Sequence, residues 1–284
     1  MTKYAITGVT GKFGQTAIKT LSQLRSNDEI VALARNTDKA KNLVPDGIEV
    51  RKGDYTDVAS LTESLKGVDK LLFISSQPGG QVTREQQHLN VVKAAENAGV
   101  KFIAYTSFPH ANTSTTPLAA DHKATEAAIE KTGIKHSFLR NNWYLENEIA
   151  SIKGALAGDS FVYSAADGRA GWALEREYAE AAAKVLVLDS PKDTYEFAGP
   201  SNTYADLAEN VAQVSDHKFD VLSVSDADYT AGLESSGLDA GTAALVTSFQ
   251  TLIRDGNLDE NTDDLVTVLG HDLVTLPDAI KEIK

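Results

Sequence analysis

No cysteine occurs among the 284 residues, which excludes disulfides, thiolate metal sites and a cysteine nucleophile together. Long apolar runs are missing too: no stretch approaches the roughly 18 residues of a membrane-spanning helix. Positive charge is scarce, with 27 Lys and Arg against 40 Asp and Glu and a formal net charge of −13. Such a surface repels phosphate backbones and anionic lipid, so neither nucleic acid nor a membrane is expected as a partner. Solubility is the simplest account of the acidity. The six histidines, at 88, 110, 122, 136, 217 and 271, include no pair at i, i+4 spacing, and no metal site is expected. No charged leader or cleavage pattern precedes the apolar run Tyr4-Ala5-Ile6, so the expected location is cytoplasmic.

What remains is an ordinary globular composition, 42% hydrophobic and 24% charged, at a length that favours two lobes or one domain with a cap. Short apolar runs alternate with helical patterns through the first half. Strands are predicted at 3–7, 29–34, 48–52, 70–73, 101–106 and 136–139. Between the first two, Phe13, Ala17, Ile18, Leu21 and Leu24 form an apolar stripe at helical period. Continuous apolar strands alternating with helices imply an α/β fold, a Rossmann-type doubly wound parallel sheet. After residue 145 the rhythm breaks into a glycine-punctuated stretch, an alanine-rich helix at 176–188 and a strand at 194–197. Helices dominate from 204 onward. The expected organisation is a dinucleotide-binding domain over 1–150 and a smaller, mainly helical substrate lobe over 151–284. A segment near 176–199 returns to the sheet.

The chemistry-bearing motif is Gly8-Val9-Thr10-Gly11-Lys12-Phe13-Gly14, set between the first strand and the first helix. In that context Gly8 permits the tight turn, Gly11 lets backbone approach a pyrophosphate, and Gly14 lets helix and strand pack closely. The helix N-terminus then offers free N–H groups to phosphate. Cofactor choice is read at the end of the second strand, where Ala34-Arg35-Asn36 carries a basic residue and no acid to hold a ribose 2′-hydroxyl. Arg35 therefore favours NADP(H), while the nearby Asp38 is assigned to helix capping. Asp54-Tyr55 after the third strand and Ser75-Ser76 after the fourth fall where such sheets bind ligands; a plain polar turn is the alternative for either pair.

Two further runs, Lys101-Phe102-Ile103-Ala104-Tyr105-Thr106-Ser107 with His110-Ala111, and Leu139-Arg140-Asn141-Asn142-Trp143-Tyr144, resemble the NmrA-like branch of atypical short-chain dehydrogenases/reductases. The similarity is densest before residue 150 and weak in the last third. It implies hydride transfer from NADPH to a quinone with no flavin and no metal. It also implies that Thr106, Ser107, Arg140 and Asn141 join the cofactor site. Phe108, Trp143, Tyr144 and Trp172 would line the pocket of a small aromatic substrate, although core packing explains each aromatic equally well.

One departure from ordinary short-chain dehydrogenases stands out. None of the nine tyrosines is followed four residues later by Lys, so the usual tyrosinate base is missing. Aligning on Glu126 puts Leu118 and His122 at those places, and His122 is read as bonding the cofactor ribose or backbone. Asn141, Tyr144 and His110 are then the candidates for orienting or protonating the acceptor. Quinone reduction tolerates the loss, since catalysis becomes mainly a matter of positioning. The alternative is a non-catalytic NADP(H)-binding redox sensor of the NmrA type; sugar-nucleotide epimerisation fits worse without the tyrosine base. A homodimer is the generic expectation for soluble oligomers.

Overall fold

A computed structural model describes residues 1–284. From the N-terminus come β1 (Tyr4–Ile6), α1 (Lys12–Leu24), β2 (Ile30–Ala34), α2 (Thr37–Lys41), β3 (Glu49–Lys52), α3 (Val58–Ser64) and β4 (Lys70–Phe73). Next are α4 (Arg84–Ala98), β5 (Phe102–Ser107), α5 (Pro117–Thr132), β6 (Lys135–Asn141), α6 (Ile149–Leu156), β7 (Phe161–Tyr163) and β8 (Arg169–Ala170). The remainder is α7 (Glu175–Val187), β9 (Thr194–Phe197), β10 (Asn202–Thr203), α8 (Tyr204–Val214), β11 (Val221–Ser223), α9 (Asp226–Ser235), α10 (Ala240–Arg254), α11 (Asp264–Leu269) and α12 (Leu276–Ile283).

The chain divides into two compact units. The first comprises Met1–Asn141, Glu175–Phe197 and Asp264–His271. Its seven strands form one parallel sheet in the order β3-β2-β1-β4-β5-β6-β9, the doubly wound Rossmann arrangement expected from the alternating pattern. Every residue of β1, β2 and β5 is buried. A strand covered by helices on both faces must be apolar throughout, and the run Ile-Val-Ala-Leu-Ala of β2 meets that demand. Helix α1 buries Phe13, Ala17, Ile18 and Leu21 of the stripe read from the sequence, leaves its last member Leu24 exposed, and packs along α7. Burying each such large side chain stabilises the fold by about 1.5–3 kcal/mol. Strand order reverses between β1 and β4, and at such a switch point a crevice opens beyond the carboxyl ends of the strands.

One local assignment is corrected. Asn36, not Asp38, caps α2: its side chain accepts from the Lys39 N–H at 2.9 Å. Asp38 lies inside the first turn and pairs with Lys41 at 3.3 Å. An N-cap must precede the first helical residue to reach the free N–H groups, and Asp38 comes two positions too late.

The second unit comprises Asn142–Leu174, Ala198–Asp263 and Asp272–Lys284. It is mainly helical, with two short strand pairs: β7 with β11, parallel, and β8 with β10, antiparallel. Strands of two or three residues carry no readable period, so they leave no sign in the sequence. Trp172, Tyr204 and Phe161 are among its fully buried side chains.

Candidate functional site

A cavity of 760 Å³ opens in the first unit along the carboxyl ends of β1, β2, β3 and β4. Its floor is the glycine loop. Gly8 has φ of +66°, a conformation that costs a residue with a Cβ. At Gly14 an added Cβ would stand 2.3 Å from the Gly8 carbonyl oxygen and 2.7 Å from Val9 Cα, so only glycine lets α1 start so close to the loop. Gly11 differs, since its Cβ would make only an ordinary contact, 3.5 Å from the Gly8 carbonyl oxygen. Gly11 is also the N-cap of α1 and makes no side-chain cap, which leaves the helix dipole and first N–H groups to an anionic ligand. Lys12, Phe13 and Gly14 line the cavity; Thr10 does not. Thr10 instead offers its carbonyl to Gln15, 3.2 Å away.

Arg35 stands at the next strand end with its side chain exposed and in the cavity wall. No carboxylate pairs with it. Its backbone carbonyl accepts from Lys52 Nζ at 3.0 Å, bringing a second cation to the same corner. Asp54 spends its carboxylate on Thr56, accepting from the backbone N–H at 3.1 Å and from the hydroxyl at 2.8 Å. Those bonds, opposed by burial and helped by Lys52 and Arg35, hold its pKa below the usual value. The Tyr55 hydroxyl lies 2.6 Å from Thr7 Oγ1 and 2.7 Å from the Ile74 carbonyl, tying together the ends of β1, β3 and β4.

The segment leaving β4 is fixed almost atom by atom. Ile74 N–H donates to Thr7 Oγ1, Ser75 N–H to Thr106 Oγ1, and Ser76 N–H to His88 Nε2, each at 2.9 Å. Arg84 Nε donates to the Ser76 carbonyl at 2.6 Å. Backbone that no sheet neighbour satisfies is thus satisfied by four side chains, from the end of β1, from β5 and from α4. Ser75 and Ser76 both line the cavity, so this part of the wall is hydrogen-bonded into the fold.

Beyond β5 and β6 the arrangement is ionic. Arg140 Nε and Nη2 reach the two Glu126 oxygens at 3.0 and 2.7 Å, and Nη1 reaches Glu196 Oε1 at 2.8 Å. Ser107 Oγ donates to Glu126 Oε1 at 2.6 Å. Burial works against the charged guanidinium, but Glu126 and Glu196 outweigh it and raise its pKa above the usual value. Burial likewise raises the Glu196 carboxyl, with Arg140 opposing. Arg140 and Ser107, expected at the cofactor, are therefore committed to these carboxylates, and neither lines the cavity. His110 takes a left-handed backbone, φ +49°. Its N–H donates to Glu196 Oε2 at 3.3 Å and its Nδ1 lies 3.6 Å from Oε1. Phe108 and Asn141 are buried.

The Arg140–Tyr144 run spans the boundary between the two units, which falls after Asn141. In the second unit, Asn142 Oδ1 accepts from the N–H groups of Trp143 and Gly171, at 2.8 and 3.2 Å. Tyr144 bridges to Ala173. Trp143 Nε1, Trp172 Nε1 and the Tyr204 hydroxyl all donate to Glu148 Oε1, at 3.0, 3.4 and 2.9 Å. Trp172 is 2% exposed, so its ring is packed away rather than open to stacking. Burial raises the Glu148 carboxyl, with the Tyr204, Trp143 and Trp172 donors opposing. Glu148, Glu196 and His88 have no role in the sequence reading; Glu196, an acid between Tyr195 and Phe197, is the one of the three that stands inside an apolar pattern.

Comparison with known proteins agrees with this geometry. The NAD(P)H-binding family model matches residues 8–162. The chain is 41% identical over 281 residues to quinone oxidoreductase 2 of Escherichia coli (strain K12), covering 98% of each. The crystal structure of the E. coli NADPH-dependent quinone oxidoreductase complexed with NADPH superposes with a TM-score of 0.92 at 40% identity, over 99% of both chains. Triphenylmethane reductase of Citrobacter sp., complexed with NADP(H), gives a TM-score of 0.92 at 35% identity, over 99% of this chain and 100% of that one.

Proposed function

We propose that this chain, which belongs to the NAD(P)H-binding family, is an NADPH-dependent reductase that passes hydride to a quinone or a similar electrophilic acceptor. The observation that carries the proposal is the cavity itself: a glycine cradle under the free N-terminus of α1 at one end, and an unpaired arginine at the next strand end. The cradle suits a pyrophosphate and Arg35 a ribose 2′-phosphate. Lys52, bonded to the Arg35 backbone, adds charge at the same corner.

Bound there, NADPH would supply the hydride. The chain's own residues would bind, orient and exclude water. Gly8, Gly11 and Gly14 admit the phosphates, Arg35 selects the phosphorylated ribose, and the clamped Ser75–Ser76 wall fixes where the dinucleotide turns. Asn141, His110 and Tyr144 are the candidates for orienting or protonating the acceptor oxygen. Without a Tyr–Lys pair no strong base is available, which suits an acceptor whose reduction needs none. Oxidation of alcohols through a tyrosinate does not fit.

The test is NADPH oxidation with a panel of small quinones, repeated with NADH and with Arg35→Ala. Wild type should turn over several quinones and prefer NADPH. Arg35→Ala should weaken NADPH about 10- to 100-fold, the worth of a charge-assisted contact, and leave NADH nearly unchanged. Equal loss for both cofactors would refute the role of Arg35. Tight NADPH binding with no turnover on any acceptor would favour the redox sensor instead.

A further inference from the structure

Behind the cavity wall lies a buried set of polar side chains that the cofactor site does not use: His88 on α4, Tyr105 on β5, and His122 and Thr125 on α5. His88 is 0% exposed, Thr125 0%, Tyr105 0% and His122 6%. Their hydrogen bonds can be directed one by one. The Ser76 backbone N–H donates to His88 Nε2, so that nitrogen carries the lone pair. Burial, with Arg84 adding to it, depresses the His88 pKa to about 3, and the neutral ring must hold its hydrogen on Nδ1. His88 Nδ1 faces Thr125 Oγ1 at 2.9 Å and the Tyr105 hydroxyl at 3.3 Å. Thr125 uses its own hydrogen on the Asp121 carbonyl at 2.6 Å, so it accepts from His88.

The Tyr105 hydrogen is then left for His122 Nδ1, 2.9 Å away. His122 is also neutral: burial, Arg84 and His88 together push its pKa well below 6.5. A neutral imidazole that accepts at Nδ1 is protonated at Nε2. No group of the protein accepts from that nitrogen, and it is absent from the sealed, unpartnered polar atoms, so the exposed sliver of His122 includes it. Phe108, the residue following β5, stacks on the imidazole with centroids 6.1 Å apart and planes 30° from parallel. The strand bearing Tyr105 is two places from β1 in the sheet, about 10 Å from the phosphate cradle at the usual strand spacing. That offset lies on the side of the cradle opposite β2 and Arg35.

We propose that His122 donates its Nε2–H to an oxygen of the hydride acceptor, held in the donating tautomer by a chain of hydrogen bonds from Ser76 through His88 and Tyr105. The proposal rests on the reductase function proposed above and assigns it a further residue. A donor with a fixed hydrogen needs no reorganisation when charge develops on the acceptor oxygen. Because the chain begins at a peptide in the cofactor wall, the donor is set by the same element that positions the dinucleotide.

Two isosteres separate this role from a structural one. His122→Gln keeps an N–H donor where Nε2 stands and loses the acceptor for Tyr105. His122→Asn keeps a polar atom where Nδ1 stands and loses the outward donor. With a small benzoquinone, His122→Asn should lose about 3- to 10-fold in kcat/KM, the worth of one hydrogen bond, with NADPH affinity unchanged, and His122→Gln should keep most of the activity. The reverse order, Asn active and Gln impaired, would overturn the proposal, as would a loss confined to NADPH affinity, which would place the donor on the cofactor ribose. Nitrogen-15 spectra of the histidine-labelled wild-type protein test the premise without any variant: His122 should carry its proton on Nε2 across neutral pH, and a proton on Nδ1 or on both nitrogens would refute it. Absence of turnover by wild type on every quinone would instead overturn the reductase function, an outcome distinct from either of these.

Discussion

Replacing Arg140 by Met tests whether that side chain serves the fold or the cofactor. The guanidinium uses three of its N–H groups on Glu126 and Glu196, and its side chain is 9% exposed. Removing it strands both carboxylates, with Ser107 the single donor left to Glu126 and His110 the neighbour left to Glu196. Breaking a buried ion pair from one side costs about 3–5 kcal/mol, which for a domain of this size lowers Tm by about 6–20 °C. With Arg140 gone, the Glu196 carboxyl, already raised by burial, should rise further in pKa. The folded state then holds protons more tightly than the unfolded one, so the deficit is smallest below the ordinary carboxylate range and grows as pH rises through it. Adding Glu126→Gln and Glu196→Gln to Arg140→Met should recover most of the loss. Thermal melts across acidic to neutral pH read the stability, and NADPH titration at low temperature reads the site. A variant with unchanged Tm and abolished NADPH binding would refute the reasoning and return Arg140 to the cofactor.

Gly14→Ala forces a Cβ to within 2.3 Å of the Gly8 oxygen and should cost about 1–3 kcal/mol as overpacking. Gly11→Ala should leave Tm nearly unchanged and weaken NADPH alone, so equal melting of the two variants would refute the distinction. Glu148→Leu leaves the donors of Trp143, Trp172 and Tyr204 without their acceptor, at about 1–3 kcal/mol each, and should melt much earlier. Glu148→Gln keeps an acceptor oxygen and removes a carboxyl whose folded pKa is raised by burial. Because that carboxyl costs stability as pH rises above 4.5 toward its folded value, Glu148→Gln should gain on wild type in that direction; a constant difference at every pH would refute the shift.

The parts legible in the sequence are those set by local pattern. Strand β2 is buried on both faces and so is a continuous apolar run; α1 is half buried and so shows a stripe. The glycine loop was readable because steric exclusion at Gly14 admits one residue type. The cap of α2 was misassigned because Asn36 and Asp38 are both capping residues and differ only in where the helix begins. The ionic site escaped for another reason. Glu196 lies 56 residues from Arg140, and Ser107, Glu126 and Arg140 look like isolated polar residues until the sheet brings β5, β6, β9 and α5 together. Histidine tautomers are further still from sequence, since they follow from which neighbour already holds a hydrogen.

Strand β9 carries a consequence for synthesis on the ribosome. The parallel sheet gains its seventh strand only when Thr194–Phe197 has emerged, and α1 gains the helix that packs on it only with Glu175–Val187. A nascent chain that has just cleared Asn141 therefore holds six strands with an open edge at β6, a bare apolar flank on α1, and Arg140 still waiting for Glu196. Exposed strand edges and apolar faces of this kind promote aggregation. A fragment ending near residue 150 should accordingly be insoluble, although the glycine loop and all the walls of the cofactor cavity but Glu175 lie within it. The fold is closed late, by a segment that sequence order places beyond the whole of the second unit's first stretch.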